Sequence, residues 1–495
     1  MSWLDAIRPV RMQRIAIVAP RRRLREMLVA LAGCGLAELD LRPLLETPES
    51  AGARAATLAR AGWGATLEAT DGPEVAGLET VGLIPESRLL AEHAVPRVLE
   101  RAPRIEELER SGRWELLSGE MELRRIAAQA VNHRGAAVLV GWTPQNWLTE
   151  LSAQLAAVGT AVVSLPHPAR ALAPTLISGS RVSHPFRPLV ETYGTVPYAN
   201  VDPTLFAGLT YVLMFGMMFS DVGHGLVLAG LGLYLRRSGR PAVAPLRQVW
   251  PIIVVAGLAA AGFGALYGEV FGPTGMVPAL WLAPVEQPVA LLVAGVIVGA
   301  ILLALSYVIG IVNRWREGGS VRAMYASSGI AGACLYFGAG AAVAGLALPI
   351  QGLLVVGVAT ACLGLVLLFI GFLTAAGGGF GGATEALVEL VDAVVRTGSN
   401  AVSFARLAAF GLTHAAIGGV VWTATTAIGA SGGLGLLVAV AVFVVGNVLA
   451  FGLEALVAAV QSLRLEYYEL FSRIFSAEGR VFRPWHLTVA SKEEA

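Results

Sequence analysis

The hydrophobic pattern of this chain changes character near residue 195. Before it, apolar residues come in short runs broken by charge; after it, they come in blocks long enough to cross a bilayer. In the first part, Ile15-Ala16-Ile17-Val18 predicts a strand. Leu24, Met27, Leu28 and Leu31 then recur at helix spacing over 21–32 until Gly33 and Gly35 stop the pattern. Residues 137–142 predict a strand, 145–158 a helix and 161–165 another strand, while 49–61 reads as helix and 66–68 as strand. Over 100–130, leucine and isoleucine alternate with charge as in one or two solvent-facing helices. The economical arrangement over residues 1–195 is an α/β domain of two small lobes, one from each end, joined by a short helical arm.

Residues 196–480 read as transmembrane helices, with a tail at 481–495. The first apolar stretch, 204–235, would be about 48 Å long as one helix, against a hydrocarbon core of about 30 Å. It is interrupted by Ser220-Asp221-Val222-Gly223-His224-Gly225. Basic residues gather at Arg236, Arg237, Arg240 and Arg247, at Arg314, Arg316 and Arg322, at Arg396, and after Arg473; the intervening loops are acidic or uncharged. The excess of arginine predicts that these loops face the cytoplasm. The first stretch then crosses twice, at 204–220 and 225–235, or folds as a re-entrant hairpin over 204–235. The other crossings fall at 250–268, 289–312, 325–346, 352–373, 401–428 and 434–471, which places both termini in the cytoplasm. The last run is too long to stand upright and should tilt. Glycine-rich 377–382 leads into 385–396, where Leu387, Leu390, Val391 and Val394 alternate with Glu389 and Asp392 as in an amphipathic helix at the interface. The fold class expected is therefore a multidomain membrane protein: an N-terminal cytoplasmic α/β domain followed by an all-α bundle of about eight transmembrane helices, the last two long and tilted.

Composition agrees. Of 495 residues, 55% are hydrophobic and only 14% charged, against about 25% charged in a soluble protein, so membrane lipid is the first partner implied. Basic and acidic residues balance at 36 to 35, and Lys492 is the single lysine. The arginines do not interleave with aromatics, which argues against nucleic acid. The Arg21-Arg22-Arg23 run reads as a solvated helix start, or as a contact for anionic lipid or an acidic partner. Cys34, Cys334 and Cys362 have no ligand or redox spacing. No apolar core resembling a signal peptide precedes Ile15. Gly52, Gly62 and Gly64 lack the Lys-Ser/Thr pair of a phosphate loop. No bases and nucleophiles cluster in the first 195 residues, so the α/β domain is expected to bind or support, and neither cofactor nor metal is expected.

The candidate chemistry lies in the last two apolar runs. Arg406, within Ser403-Phe404-Ala405-Arg406-Leu407, carries a charge whose insertion at a bilayer centre costs about 2.5–3.5 kcal/mol. Arginine does not escape that cost by losing its proton. It needs a partner, a water-lined cavity or a job, unless it lies at a helix end and snorkels. Asn447, Glu454 and Gln461 in the next run are spaced seven apart and share one helix face, with Arg464 adjacent. His414 lies about 80° round the helix from Arg406 and could relay protons between water and a buried carboxylate. Two neighbouring apolar helices with such residues look like the wall of an ion path. Ser403, Asp221, His224 and Glu269 are secondary candidates, each also explicable by pairing, capping or a membrane-edge position. His224 alone reads as a hydrogen-bonded helix-end histidine, with no second ligand at metal spacing.

Several motifs in order resemble one family: Pro197-Tyr198-Ala199-Asn200-Val201-Asp202-Pro203-Thr204, the segment from Phe215 to Gly225, Leu266-Tyr267-Gly268-Glu269-Val270-Phe271-Gly272, Asn313-Arg314-Trp315-Arg316 and Ser403–Leu407. Val140-Gly141-Trp142-Thr143-Pro144 adds a soluble-domain match. The chain resembles the membrane subunit a, or subunit I, of the rotary V-type and A-type ATPases. The resemblance implies that Arg406 faces the carboxylate on each subunit of a rotating c-type proteolipid ring. It places Glu454 and Arg464 on the last tilted helix beside that ring, with His414 nearby. It implies peripheral stalk subunits as partners of the α/β domain, and a central stalk and ATP-hydrolysing soluble sector as partners through the complex. The chain itself would bind no nucleotide and would carry protons or sodium ions. A secondary transporter is the rival reading, but it predicts an internal repeat of the membrane half that the sequence does not display. A passive scaffold would leave the polar stripe unexplained.

Overall fold

The computed structural model describes residues 9–40, 91, 94–133, 135–166, 173–177, 183–244, 246–475 and 479–490. The expected helix at 49–61 and strand at 66–68 lie outside them. The chain divides into two compact units, one of residues 9–177 with 479–495 and one spanning 178–478.

The α/β unit is built on one antiparallel sheet. Its strands are β1 (Met12–Pro20), β2 (Glu38–Leu39), β4 (Val131–His133), β5 (Ala136–Pro144) and β6 (Ala161–Leu165), in the order β2-β5-β1-β6 with β4 also on β5. Alternation along β1 explains the two-sided burial. Ile15, Ile17 and Ala19 point into a core made with α1 (Leu24–Cys34), α3 (Trp114–Ala127) and α4 (Leu148–Ala156), while Ala16 packs with Val138 and Leu165 on the other face. Helix α1 ends at Gly35 in the left-handed conformation, as the sequence predicts. The expectation of two lobes fails here. Met12 to Pro20 pairs residue for residue with Pro144 back to Ala136, so the two ends of the domain share a single sheet. The cause is non-local pairing, which strand periodicity does not encode. The charged stretch forms α2 (Ile105–Arg110) and α3.

Residues 479–490 complete this unit rather than standing apart as a tail. β7 (Thr488–Ala490) lies parallel to β3 (Arg97–Leu99), Leu487 is buried in the sheet–helix core, and its N–H donates to the carbonyl of Ala32 at 3.1 Å.

The second unit is helical: α5 (Arg187–Tyr193), α6 (Thr204–Met218), α7 (Val222–Arg237), α8 (Trp250–Tyr267), α9 (Pro288–Tyr325), α10 (Ile330–Ala347), α11 (Gln351–Ala375), α12 (Gly379–Ser403), α13 (Ala405–Gly429) and α14 (Leu434–Leu465). A π-helical turn, Glu466–Phe471, and the short α15 (Ser472–Ile474) extend α14. Among the described residues, six helical runs are long and apolar enough to span a bilayer, and α6 is a shorter apolar helix. The unit is that of a multi-pass membrane protein. The split of 204–235 occurs as expected, between Met218 and Val222. Gly264 of α8 lets it form, since a Cβ there would lie 2.4 Å from the backbone nitrogen of Val222.

The arginine cluster after Val312 is not a loop. Helix α9 continues for 38 residues, bent at Gly318 and Gly319, and Arg314 on it is 1% exposed. Arg314 pairs with Glu317 at 2.8 Å and donates to the carbonyl of Ile474 at 3.1 Å. Asn313 accepts from the N–H of Val201 at 2.9 Å and donates to the same Ile474 carbonyl. Partners distant in sequence, Val201 and Ile474, together with Glu317, turn a stretch that reads as a loop into a buried junction.

Candidate functional site, a buried polar cluster and an unpaired arginine

Helix α13 starts directly after α12, the two separated by a turn at Phe404. Phe404 is completely buried, and Gly299 of α9 makes the space: a Cβ there would sit 2.1 Å from the Phe404 ring. This seats Arg406 two residues on. Arg406 is half-buried, its Nη1 is enclosed without a hydrogen-bond partner, and among the described residues no carboxylate pairs with it. Arg464 on α14 is exposed, and Gln461 has its carbonyl oxygen enclosed without a partner. Ser403 closes α12.

Eight residues after Arg406, about 12 Å along the helix axis, His414 enters a polar cluster inside an otherwise apolar bundle. Its Nδ1 bonds the carboxylate of Glu454 on α14. The His224 ring lies 5.5 Å away centroid to centroid, nearly perpendicular. Phe219, Phe271 and Phe451 wall the two imidazoles. Asp221 is completely buried and caps α7: one oxygen accepts from the N–H of His224 and the other from the N–H of Gly272, both at 2.9 Å. This cap is what α7 needs at a buried N-terminus. Glu269 is 4% exposed, with one oxygen unpartnered. It lies within electrostatic range of His414, Asp221 and Glu454. Asn447, also buried, donates to the carbonyl of Phe443 at 2.9 Å.

The structure thus gathers His414, Glu454, Asp221, His224 and Glu269. Arg406, Arg464, Gln461 and Ser403 make no hydrogen bond or ion pair with that group. The helix-end position expected for His224 is observed, but neither ring nitrogen makes a hydrogen bond. Sequence spacing could not link His224 to His414, 190 positions apart. It also passed over Glu466, which is 0% exposed in the π turn and accepts from the Thr210 hydroxyl at 2.6 Å. Only the apolar setting of Glu466 could have flagged it.

Chemically, a half-exposed, unpaired guanidinium can receive a carboxylate from outside the chain. On the next helix, α14, Leu449, Leu453, Leu456 and Val460 are all more than half exposed, an apolar surface open to lipid or a partner. The enclosed carboxyl–imidazole cluster can bind and pass protons or hold a cation.

Fold and cluster define a polytopic helical membrane protein with an ionisable interior, joined to an α/β unit. Residues 127–284 match the V-type ATPase 116kDa subunit family. The chain is similar to the A-type ATP synthase subunit I of Pyrococcus horikoshii, 25% identical over 81% of this chain and 64% of that protein. It is 33% identical to the subunit I of Archaeoglobus fulgidus over 32% of this chain and 23% of the relative. It is 31% identical to the V-type ATP synthase subunit I 2 of Treponema pallidum over 35% and 41% of the two chains. The chain spans less than two thirds of the length of these relatives. The resemblance read from its motifs is borne out by these similarities to subunit I of the A-type and V-type ATP synthases.

Proposed function

We propose that this chain is the stator membrane subunit of a rotary V/A-type ATPase, forming two ion half-channels against a rotating proteolipid ring. The observation that carries the reading is Arg406: a permanent cation in an apolar helix, half-exposed and unpaired among the described residues. A ring carboxylate in lipid is held protonated, because an unpaired ion there is costly. Opposite Arg406 its ionised form is favoured, so it gives up its proton to one path and is reloaded from the other. The fixed charge also opposes direct leakage between the paths. Glu454, His414, Asp221, His224 and Glu269 then line one path, with Asn447 at its edge, and Gln461 and Arg464 extend the face of α14 towards the ring.

The chain hydrolyses nothing itself in this reading; ATP turnover belongs to the soluble sector, reached through the central stalk. The α/β unit serves the peripheral stalk on the cytoplasmic side. Because that unit contains segments from before and after the membrane helices, the chain crosses an even number of times. Eight crossings, by α6, α7, α8, α9, α10, α11, α13 and α14, meet that requirement, with α12 at the interface. Helix α12 suits this place: Leu387, Val388, Val391 and Val395 are exposed while Asp392 pairs with Arg396.

Blue-native electrophoresis of gently solubilised membranes tests the assignment. Co-migration with a small ring-forming proteolipid and a soluble ATPase is expected. Migration as a lone monomer or dimer would favour a secondary transporter and sink the proposal.

A further inference from the structure

We propose that Asp221, His224 and His414 form a binding site for a borderline divalent transition-metal ion of the zinc type. The ligand atoms available on these three side chains lie within 4.8 Å of one another, and all three residues are buried. Ligands of a tetrahedral zinc ion, with bonds of about 2.0–2.2 Å, lie about 3.3 Å apart, so each side chain has to move inward by less than about 1 Å. Two imidazoles and one carboxylate with a fourth position left for water is a ligand set that suits zinc, cobalt or nickel over magnesium or calcium.

Three further observations point to a ligand. First, both ring nitrogens of His224 are buried and neither has a partner within hydrogen-bond distance, the Asp221 carboxylate standing 4.0 Å from Nδ1, although a buried polar group normally has a partner. Second, the outer partners of a metal centre are already in place. Glu454 bonds Nδ1 of His414, as an outer carboxylate orients a ligating histidine, which leaves Nε2 for the ion. Asp221 is fixed by the backbone N–H groups of His224 and Gly272. Third, Glu269 adds an unpartnered carboxylate oxygen nearby. Three carboxyl groups therefore surround two imidazoles, and no arginine among the described residues pairs with any of them.

Metal at this position would close the proposed ion path, because it would occupy His414 and draw on its partner Glu454. This consequence rests on the proposed function; the binding site does not.

The full-length protein in nanodiscs is titrated with Zn²⁺ by calorimetry and with Co²⁺ by visible absorption, with Mg²⁺ as the hard-cation control. One Zn²⁺ per chain, an intense tetrahedral Co²⁺ band and no Mg²⁺ signal are expected. His224→Phe keeps the stacking on Phe219 and should weaken Zn²⁺ at least tenfold. His224→Gln serves the same end should the phenylalanine variant not assemble. Asp221→Asn, which keeps an acceptor for the helix cap, should weaken it as well. No stoichiometric Zn²⁺ in the wild type, or unchanged affinity in the His224 variants, overturns the site. Zn²⁺ should also slow ion transport by the assembled complex, and His224→Phe should reduce the sensitivity. Binding that is lost in the variants but leaves transport unaffected upholds the metal site and removes this cluster from the ion path.

Discussion

Glu454 of α14 holds the imidazole of His414 on α13, forty residues earlier in the chain. The pair ties the two helices together at the one place where both carry ionisable groups into an apolar core. Glu454→Gln keeps the shape and removes the charge. A hydrogen bond to a charged group contributes about 1.5–3 kcal/mol against about 1 for a neutral one, so exchanging one for the other should lower ATP-driven ion uptake into vesicles several-fold while the complex still assembles. Water and neighbouring polar groups can substitute in a hydrated path, so transport should not vanish. An unchanged rate in an assembled complex would leave the pair a purely structural role.

Gly299 is the seat of Phe404, and through it of the start of α13. A methyl group there would meet the phenyl ring at 2.1 Å. Overpacking of this kind costs about 1–3 kcal/mol. Gly299→Ala should lower the unfolding temperature of the purified protein and impair transport by displacing Arg406. Gly340→Ala is the control: nothing lies within 4 Å of its added Cβ, and alanine in a helix interior is favoured by about 0.5–1 kcal/mol. Equal unfolding temperatures for the two variants would contradict the packing argument.

Leu487 is 4% exposed and sits among the core residues of a sheet more than three hundred positions earlier in the chain. Truncating a buried leucine costs about 2–5 kcal/mol. Leu487→Ala should therefore sensitise residues 9–166 to proteolysis in the full-length protein. Protease resistance equal to wild type would show that the C-terminal strand only decorates the unit.

Glu120 in α3 is 3% exposed and ion-paired to Arg25. Burial pushes its carboxyl above the ordinary value of 4.5, and the Arg25 guanidinium only partly opposes this. The folded unit thus holds this proton at a pH where the unfolded chain has released it. The resulting stabilisation is full below about pH 4.5 and is lost as pH rises through the raised value. Relative to Glu120→Gln, the wild type should lose stability as pH rises above about 4.5. Parallel pH profiles in thermal unfolding would show that Glu120 titrates normally.

What sequence revealed and what it hid divide along a physical line. Strands such as 161–165 and helices such as α1, α13 and α14 follow from local periodicity and from glycine stops. The break at Ser220-Asp221 follows from a bilayer too thin for one helix. Features that need distant residues stayed hidden: the single sheet joining β1 to β5, the docking of β7, and the meeting of His224 with His414. Arg314 belongs with these: the stretch reads as a loop, yet it is helical, and the Ile474 carbonyl, 160 positions away, helps bury the arginine. That Arg406 would find no partner on its own helix was legible, because its cost in lipid is a property of one residue in its own helix.

Arg406 should be the residue whose charge is indispensable. Its insertion costs about 2.5–3.5 kcal/mol, and the described structure offers no compensating carboxylate. Asp392, the nearest acidic residue before it in sequence, is committed to Arg396 on α12. Glu454 is committed to His414. A carboxylate brought by a moving neighbour fits the vacancy. Arg406→Ala removes a charge that loses no partner among the described residues, so folding and assembly should persist while coupled transport is abolished. Arg406→Lys should also be severely impaired, since an ammonium can shed its proton in an apolar site and lacks the planar fork that grips a carboxylate. The measurement is ion pumping by the reconstituted complex, normalised to assembled complex, for wild type and both variants. Near-wild-type pumping by the alanine variant would mean that Arg406 only snorkels to the headgroups, and would take the centre out of the proposed mechanism.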